Sequence, residues 1–277
     1  MSIEESLDIF KHYVDDDKQT VVNFSGGRYS LVLLHLASRI LKNVNAIYVD
    51  TTITLPECDD FVKYICDDWG VNLKIIKRKD TNFWEMVKNW GFPGRRIRWC
   101  MKEFKSNPLR LYNESINDDV LHIVGTSMHE SSTRERIYSV RGKYHYNFNI
   151  NSYILMPLIN WTEDMIYKYI KDNNLPINPC YDKYYGGGNC YYCPFISSIT
   201  YYRNLLDLQP DLFYKIVDAE EAMRNKGAAI YTGKGKVMHL SKLLEYTKSG
   251  DVFPSLKECE AKISTKKIFS CGKRCIM

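Results

Sequence analysis

The sequence predicts an α/β fold built on a parallel sheet. Short apolar stretches of strand length, such as Thr20–Phe24 and Val120–Val124, alternate with longer amphipathic stretches of helical length. Both strands run directly into polar turns that contain glycine. This alternation is typical of βαβ units, in which the strands are parallel and helices cover the sheet.

Composition narrows the function only slightly. The chain has 277 residues, of which 45% are hydrophobic and 26% are charged, and its net charge of +5 is compatible with nucleotide or nucleic-acid partners without selecting either. No apolar run approaches the roughly 20 residues that span a bilayer. Residues Met1–Asp17 are acidic and lack the layout of a signal peptide. We therefore expect a cytoplasmic protein with no membrane partner.

The elements follow in a regular order. An amphipathic helix at Ser2–Val14 comes first, and a polar hairpin is expected at Gly142–Asn151. The other strands and helices alternate as Thr20–Phe24, Leu31–Leu41, Ala46–Val49, Pro56–Trp69, Asn72–Ile76, Asn82–Trp90, Val120–Val124 and Thr162–Asn173. Helices are expected again at 197–208, 211–226 and 239–247. Residues 1–195 are interpreted as a nucleotide-binding domain, and 196–277 as a helical C-terminal region with a basic, cysteine-containing tail.

The turn Ser25-Gly26-Gly27-Arg28-Tyr29-Ser30 joins the first strand to the next helix. Glycines allow a close backbone approach, and the first N–H groups of the helix have no partner within it. Together with hydroxyl and guanidinium donors, these groups favour an anion, and phosphate is the usual one. An ordinary glycine turn between strand and helix is the alternative.

Two further loops follow strands, and a third is strongly cationic. Asp50-Thr51 follows the second strand, and Gly125–Arg136 follows the fourth with small polar residues and arginines. Ligands of open α/β sheets bind beyond the carboxyl ends of the strands. The cationic loop carries Arg95, Arg96, Arg98 and Lys102, which suit phosphate but also a solvated face.

Four of the nine cysteines predict a metal centre. Cys190 and Cys193 form a C-x-x-C pair, and Cys180 lies ten positions earlier, across a triple-glycine loop. A fourth ligand is needed, and Cys100 in the cationic loop is the choice. With no secretion signal, metal or redox chemistry is favoured over disulfides. The pattern leaves a [4Fe–4S] cluster, structural zinc and a redox dithiol open.

These motifs resemble those of the PP-loop ATP pyrophosphatases and sulfonucleotide reductases, the PAPS reductase-like superfamily. The first turn resembles their Ser-Gly-Gly-Lys-Asp-Ser loop, with Arg28 for lysine and Tyr29 for aspartate. Asp50-Thr51 resembles an Asp-Thr-Gly segment, with Thr52 for glycine. The Arg98-Trp-Cys100 string, the Gly125…Glu130-Ser131…Arg134 loop and Trp161-Thr-Glu-Asp also have counterparts, although Ser127 replaces an arginine.

The resemblance implies a Rossmann-like sheet of the adenine nucleotide alpha-hydrolase type that binds ATP, or PAPS or APS, with Mg²⁺. The implied nucleotide-binding residues are Ser25, Gly26, Gly27, Ser30, Asp50, Thr51, Gly125, Glu130 and Ser131. The implied catalytic cations are Arg28, Arg98, Lys102 and Arg134. The order of the cysteines is similar to that of DNA phosphorothioation proteins, and this favours a [4Fe–4S] cluster on Cys100, Cys180, Cys190 and Cys193, with zinc as the lesser alternative.

Three functions follow from the resemblance. The first is an ATP pyrophosphatase that adenylylates an acceptor for sulfur transfer, with DNA or tRNA as the acceptor and a cysteine desulfurase as the type of sulfur donor. The second is a sulfonucleotide reductase that releases sulfite, for which Cys271 in the tail would supply the thiol. The third is a non-catalytic nucleotide- or metal-binding subunit, because Arg28 and Tyr29 depart from the usual loop.

Overall fold

The computed structural model describes residues 3–14, 19–116, 119–184, 189–196, 198–223, 240–241 and 244. Its centre is a six-stranded sheet. The strands are β1 (Gln19–Asn23), β2 (Asn45–Asp50), β3 (Asn72–Lys77), β4 (Val120–Val124), β5 (Tyr144–Asn147) and β6 (Ser152–Leu155). The expected α/β class with a largely parallel sheet is confirmed.

Helices flank this sheet and form the C-terminal part of the described chain. They are α1 (Ile3–Tyr13), α2 (Arg28–Ser38), α3 (Pro56–Asp68), α4 (Phe83–Trp90), α5 (Trp99–Met101), α6 (Asn107–Glu114), α7 (Ser132–Arg141), α8 (Glu163–Asp172), α9 (Cys180–Lys183), α10 (Ile199–Leu208) and α11 (Pro210–Met223). A π-helical segment, Lys102–Ser106, joins α5 to α6. None of the described helices combines the length and apolar character needed to cross a bilayer.

The strand order is β3-β2-β1-β4-β6-β5. All neighbours are parallel except β5 and β6, which form an antiparallel hairpin at one edge. The chain moves outward from β1 to β3 and then returns to place β4 on the other side of β1. Asn23 at the end of β1 lies beside Val124 at the end of β4. Their carboxyl ends therefore form the crevice in which α/β sheets bind ligands.

Two of the four hydrophobic clusters in the described chain bear on the site. The larger one buries α2 against the sheet and against α8, with Leu31, Leu33 and Leu34 at 1% exposure or less. The other contains the cysteine segment 189–196, α4, α10 and α11, and includes Tyr201 and Phe213. The C-x-x-C segment is therefore enclosed by helices from two parts of the chain. The expected division of the chain at residue 195 stays a prediction.

Four of the described helices, α5, α6, α7 and α9, were not expected from the sequence, and α7 and α6 are the longest of them. α7 has no buried residue, so it lacks the apolar stripe from which a helix is recognised. Ser131 caps it by accepting a hydrogen bond from the Arg134 N–H at 3.2 Å. α6 is short and begins at Asn107-Pro108, a pair that alone indicates only a turn. The cysteines of the tail, and all of the expected helix at 239–247 except residues 240, 241 and 244, lie outside the described residues.

His122 lies fully buried in the middle of β4 and connects three elements. Its Nδ1 lies 2.8 Å from the Asn23 side chain of β1, and its Nε2 lies 2.9 Å from Asn113 Oδ1 of α6. Burial lowers the pKa of His122 to about 4. The imidazole is therefore neutral in the folded protein at neutral pH.

Acidification is expected to destabilise the protein through His122. Between pH 6.5 and 4 the unfolded chain binds a proton at this residue that the folded chain does not. The free energy of unfolding is therefore unaffected by this proton above pH 6.5 and falls by about 3 kcal/mol as the pH is lowered to 4. Denaturant unfolding at a series of pH values should show a shallower dependence for His122→Gln, which keeps polar contacts but does not titrate. Identical pH slopes in the two proteins would contradict this assignment.

Candidate functional site

The glycine turn between β1 and α2 is held by hydrogen bonds among its own residues. Ser30 Oγ donates to Gly27 O at 2.9 Å and accepts from the Ser25 N–H at 3.2 Å. Gly26 has a φ of +75°, which favours glycine, and an added Cβ would meet Val62, Cys58 and Asn178 at 3.0–3.2 Å. Gly27 precedes α2 without a side-chain cap. The turn thus leaves the positive end of α2 facing the crevice.

The loop after β4 lies directly against this turn. A Cβ on Gly125 would lie 2.7 Å from Tyr29 O and 2.8 Å from Ser30 N. Real Cβ atoms essentially never approach backbone so closely, so glycine is required here. The structure therefore brings Gly125 together with Ser25–Ser30, as the sequence predicted.

The loop after β2 is shaped by an unusual backbone conformation. Thr52 has a φ of +64°, which is rare for a β-branched residue. Asp50 Oδ1 accepts a hydrogen bond from the Thr52 N–H at 2.7 Å, and Asp50 Oδ2 pairs with Lys77 at 2.8 Å. Asp50 therefore supports the loop, whereas Thr51 lines the crevice.

The cysteine segment is fastened to this same loop. The Leu55 N–H donates to Asn189 O at 2.8 Å, and the Tyr191 N–H donates to Ile53 O at 2.9 Å. These two bonds flank an antiparallel bridge between Thr54 and Cys190. In addition, Asn189 Nδ2 donates to Ser25 O of the glycine turn. Cys190 is thereby fixed beside the crevice.

Two adjoining cavities result from this arrangement. The nucleotide cleft, of about 40 Å³, is lined by the ends of β1, β2 and β4 and by Ser25, Ser30 and Gly125. The cysteine pocket, of about 80 Å³, is lined by Arg98, the π segment and the C-x-x-C segment. Four residues line both cavities, namely Thr51, Lys105, Asn189 and Cys190. A reactive group in one cavity would therefore lie next to the contents of the other.

The structure brings three of the four predicted metal ligands to one cavity. Cys100, Cys190 and Cys193 line the cysteine pocket. Burial is the main cause that raises the pKa of the Cys100 thiol to about 12, and the neighbouring Cys190 and Cys193 thiols add to this increase. Cys180 is buried in the same hydrophobic cluster but does not line this pocket. Burial is also the main cause that raises the pKa of Cys180, and the thiol of Cys58 adds to this increase.

The arrangement of the thiols bears on which metal they could hold. In the described residues, no three His, Cys, Asp or Glu side chains are placed to share a single metal ion. Zinc needs each sulfur about 2.3 Å from one ion, so its ligands almost touch one another. An iron–sulfur cluster spreads its cysteine ligands over several iron atoms. The shared lining of Cys100, Cys190 and Cys193 is compatible with a cluster, and Cys180 is the predicted ligand that the arrangement fits least well.

The predicted catalytic cations occupy different environments. Arg98 is exposed and lines the cysteine pocket, with its guanidinium 5.3 Å from the centre of the Phe195 ring. Lys102 is exposed and does not line either cavity, whereas Lys105, three residues later, lines both. The spacing of the cationic string did not distinguish these lysines. The π segment that carries them decides which one faces the cleft.

Arg28 and Arg134 lie in a compact cluster of charges behind the glycine turn. The Arg28 guanidinium stacks between the rings of Tyr167 and Tyr181, 4.6 Å from each centroid, and lies 3.6 Å from Glu163. Arg134 pairs with Glu130. Each of the two arginines therefore already has a carboxylate partner, which compensates part of its charge.

Tyr29 and Glu130 complete this cluster. Burial raises the pKa of Tyr29, and the charges of Glu130 and Glu163 raise it further. Burial also raises the pKa of Glu130, although Arg134 opposes this effect. Glu130 Oε2 accepts a hydrogen bond from the Ser127 N–H at 2.9 Å, so its carboxylate also closes the loop after β4. Tyr29 stands where the resembling loop has an aspartate, so this chain has a neutral, buried phenol at that position.

Comparison with known families assigns the fold to a group of proteins. The sequence profile of the phosphoadenosine phosphosulfate reductase domain matches residues 19–196, which is more than half of the chain. The chain belongs to this family. The match includes the glycine turn, the nucleotide cleft and all four predicted cysteine ligands.

Several curated proteins are similar to this family member. An uncharacterised protein of Methanocaldococcus jannaschii is 32% identical over 219 residues, which are 78% of this chain and 52% of the relative. The chain therefore spans about half of that protein's length. The adenosine 5′-phosphosulfate reductase of Oceanobacillus iheyensis is 28% identical over 171 residues, which are 61% of this chain and 68% of the reductase.

Solved structures share the fold at low sequence identity. The U34-tRNA thiolase NcsA from Methanococcus maripaludis, solved with its [4Fe–4S] cluster, has a TM-score of 0.51 at 18% identity, over 85% of this chain and 83% of that chain. The Candida glabrata FMN adenylyltransferase, solved with FMN and an ATP analogue, has a TM-score of 0.51 at 15% identity, over 68% and 60%. These likenesses show the fold alone.

Sequence reasoning missed two residues of the site. Lys105 lies beyond the cationic loop as defined from the sequence, which ends at Lys102, and Asn189 had no predicted role. Both line the two cavities. The available signal for Asn189 was its position next to the C-x-x-C pair, but its bond to Ser25 depends on tertiary contacts.

Replacing Gly125 by alanine is expected to damage the site and the fold together. The added Cβ would strike the backbone of Tyr29 and Ser30, so the turn that forms the cleft must move. We expect a loss of about 1–3 kcal/mol in the free energy of unfolding, measured with urea. The matched control is Gly94→Ala, because a Cβ there meets nothing within 4 Å. Equal stability of the two variants would contradict the close approach.

Proposed function

We propose that this protein is an ATP pyrophosphatase that cleaves ATP between the α and β phosphates and adenylylates an acceptor for sulfur transfer. The observation that carries this proposal is that the nucleotide cleft and the cysteine pocket share Thr51, Lys105, Asn189 and Cys190. Nucleotide activation and sulfur chemistry would thus take place side by side.

The cleft supplies the groups that such a reaction needs. Ser25, Ser30 and the first N–H groups of α2 would hold the β and γ phosphates, which leave as pyrophosphate. An acceptor oxygen attacks the α phosphorus, and the bond to the β-phosphate oxygen breaks with its electron pair going to pyrophosphate. Lys105 would neutralise charge at the α phosphate. Among the described residues the cleft lining includes no carboxylate, so Mg²⁺ would be bound mainly by the nucleotide's phosphates.

The remaining predicted residues have roles that differ in directness. Arg98 is placed to contact the acceptor in the cysteine pocket. Arg28 and Arg134 would stabilise phosphate charge from behind the glycine turn, with Glu130 and Ser131 keeping the second loop in place. Lys102, which lines neither cavity, has no direct role in the proposed reaction.

The cysteines would hold a [4Fe–4S] cluster through Cys100, Cys190 and Cys193, with Cys180 as the fourth ligand. When bound, the cluster supplies an iron centre for sulfur or electron transfer next to the adenylylated acceptor. Sulfide-level sulfur, formed when a thiol reductant supplies two electrons to the persulfide of a donor protein of the cysteine desulfurase type, would then attack the adenylylated atom of the acceptor, and the bond to AMP would break with its electron pair leaving on AMP. The support comes from the common pocket of three thiols and from NcsA, a tRNA thiolase of the same fold with such a cluster. An acceptor in tRNA or DNA fits this proposal.

Pyrophosphate release tests the reaction and the role of Lys105. The full chain, prepared anaerobically, should form AMP and pyrophosphate from ATP when a nucleic-acid acceptor and a sulfur donor are added. Lys105→Ala should lower kcat/KM by at least about a hundredfold, because it removes a charge from the reacting phosphate. Lys102→Ala, on the same segment but outside both cavities, is the matched comparison and should retain most activity.

Equal losses in the two lysine variants would contradict the placement of Lys105. Nucleotide binding without pyrophosphate release under any of these conditions would favour the non-catalytic alternative.

Iron content tests the metal centre separately. Anaerobic protein should be brown and contain iron and acid-labile sulfide. Serine at Cys100, Cys190 or Cys193 should remove most of the iron, because these thiols share one pocket. Cys180→Ser should retain more iron, since this thiol lies outside that pocket. Cys66→Ser is the control, because that buried cysteine belongs to the other hydrophobic cluster. Bound zinc without iron would contradict the cluster.

A sulfonucleotide reductase is the second candidate, favoured by relatives such as the adenosine 5′-phosphosulfate reductase of Oceanobacillus iheyensis. It would attack the sulfate group and not the α phosphorus. Sulfite release from adenosine 5′-phosphosulfate or its 3′-phosphorylated form, abolished by Cys271→Ser, would establish this reaction. Pyrophosphate release from ATP with no sulfite formation would exclude it.

A further inference from the structure

A larger cavity lies beside the cysteine pocket and has no place in the reaction described above. Its volume is about 640 Å³. We call it the tryptophan groove, and its main side chains are Trp90, Phe92, Arg95, Arg96, Ile97 and Trp99. The groove therefore combines aromatic rings with arginines.

The groove exposes large side chains that the hydrophobic core does not use. Trp90 is 59% exposed at the end of α4, and Ile97 is 73% exposed. Trp90 is supported from the side by Trp99, whose ring centre lies 5.9 Å away at an interplanar angle of 85°. Trp99 is fixed in turn by a hydrogen bond from its Nε1 to Gly91 O at 3.2 Å. The groove therefore presents the exposed indole of Trp90, which packs against the ring of Trp99.

Positive charge accompanies these rings. Arg95 and Arg96 line the groove, and its lining contains no Asp or Glu. Arg96 is exposed and makes no hydrogen bond or ion pair with any of the described residues. The Arg95 Nε donates to Pro194 O at 3.0 Å, so this side chain is anchored on the cysteine segment.

The groove and the cysteine pocket share a wall. Tyr192 and Pro194, on either side of Cys193, line both cavities. Tyr192 is held by contact with the Phe92 ring, at 4.9 Å between centroids. A chain lying in the groove would therefore extend directly to the sulfur centre.

A basic groove along β3 and α6 is a weaker candidate for a charged partner. Its cations are Lys74, Lys77, Arg78, Lys79 and Arg110, of which Lys77, Arg78 and Arg110 pair with Asp50, Asp80 and Glu114. Its described lining also contains the carboxylates of Asp80 and Glu103 and no tryptophan. The tryptophan groove instead combines stacking surfaces with Arg96, which pairs with none of the described residues.

We propose that the tryptophan groove binds a single-stranded segment of nucleic acid and leads its reacting nucleotide to the cysteine pocket. A base stacks on Trp90, and Arg96 contacts a phosphate. Aromatic rings combined with cations are the recurring means of binding unpaired nucleotides, since every base has a face that can stack. The inference rests on the proposed function in one respect, because it identifies the bound strand as the sulfur acceptor.

The sugar has no role in these contacts. Single-stranded RNA and DNA should therefore bind about equally well, and a duplex should bind more weakly because its bases are already stacked and paired.

Binding is measured by fluorescence anisotropy with short fluorescein-labelled single strands and a duplex of the same sequence, using the full anaerobic chain without ATP. Trp90→Ala should weaken single-strand binding at least about fivefold, and Trp90→Phe should restore most of it. Arg96→Ala should weaken binding and reduce its dependence on salt concentration. Phe148→Ala is the matched control, because this phenylalanine is 86% exposed on the hairpin between β5 and β6, away from the groove.

The outcomes separate this inference from the proposed function. Unchanged single-strand affinity in Trp90→Ala and Arg96→Ala, or failure of the intact protein to bind single strands, overturns the inference whatever the ATP assay shows. A groove that serves a protein partner would give this second result. Selective loss of single-strand binding in the groove variants supports it, even if no pyrophosphate is released. In that case only the proposed reaction fails.

Discussion

The pairing between residues 189–191 and 53–55 is the constraint on which the site depends. Two backbone hydrogen bonds and one bridge join the C-x-x-C segment to the loop after β2. That loop begins at the carboxyl end of a central strand, where an open α/β sheet binds its ligand. This short pairing therefore places Cys190, from late in the sequence, beside a cleft that is formed largely by residues from the first half of the sequence. The same contacts place Thr51 Oγ1 3.3 Å from Cys190 Sγ.

Charge in the site is arranged in two layers. Behind the glycine turn, Arg28 and Arg134 already have carboxylate partners, and Arg28 is also enclosed by two tyrosine rings. In front of it, Lys105 lines both cavities. Arginines held in this way keep a fixed geometry and cost little reorganisation when a substrate binds. Arg28 and Arg134 therefore help to fix the position of the loops, whereas Lys105 faces the two cavities.

The sequence was sufficient for strands β1 to β4 and for the loops at their ends, because these depend on local patterns. Strands such as Val120–Val124 are continuous apolar runs, and glycines such as Gly26 mark turns wherever they lie in the fold. It was not sufficient for α7, which has no apolar stripe, or for choosing Lys105 over Lys102. Nor could it separate Cys180 from the other three thiols, since spacing along a chain does not fix which side of a cluster a side chain enters. These features are decided by tertiary packing.

The π-helical segment at Lys102–Ser106 has a consequence for how this region tolerates changes in length. A π turn holds about one residue more than an α turn, and one residue corresponds to about 100° of rotation around a helix. Without that extra residue, everything before the segment would rotate by this angle relative to α6. Cys100 and Arg98 would then turn away from the pocket while Pro108 and Leu109 stayed in the core. A single-residue deletion here would thus separate Cys100 from Cys190 and Cys193, with which it lines one pocket.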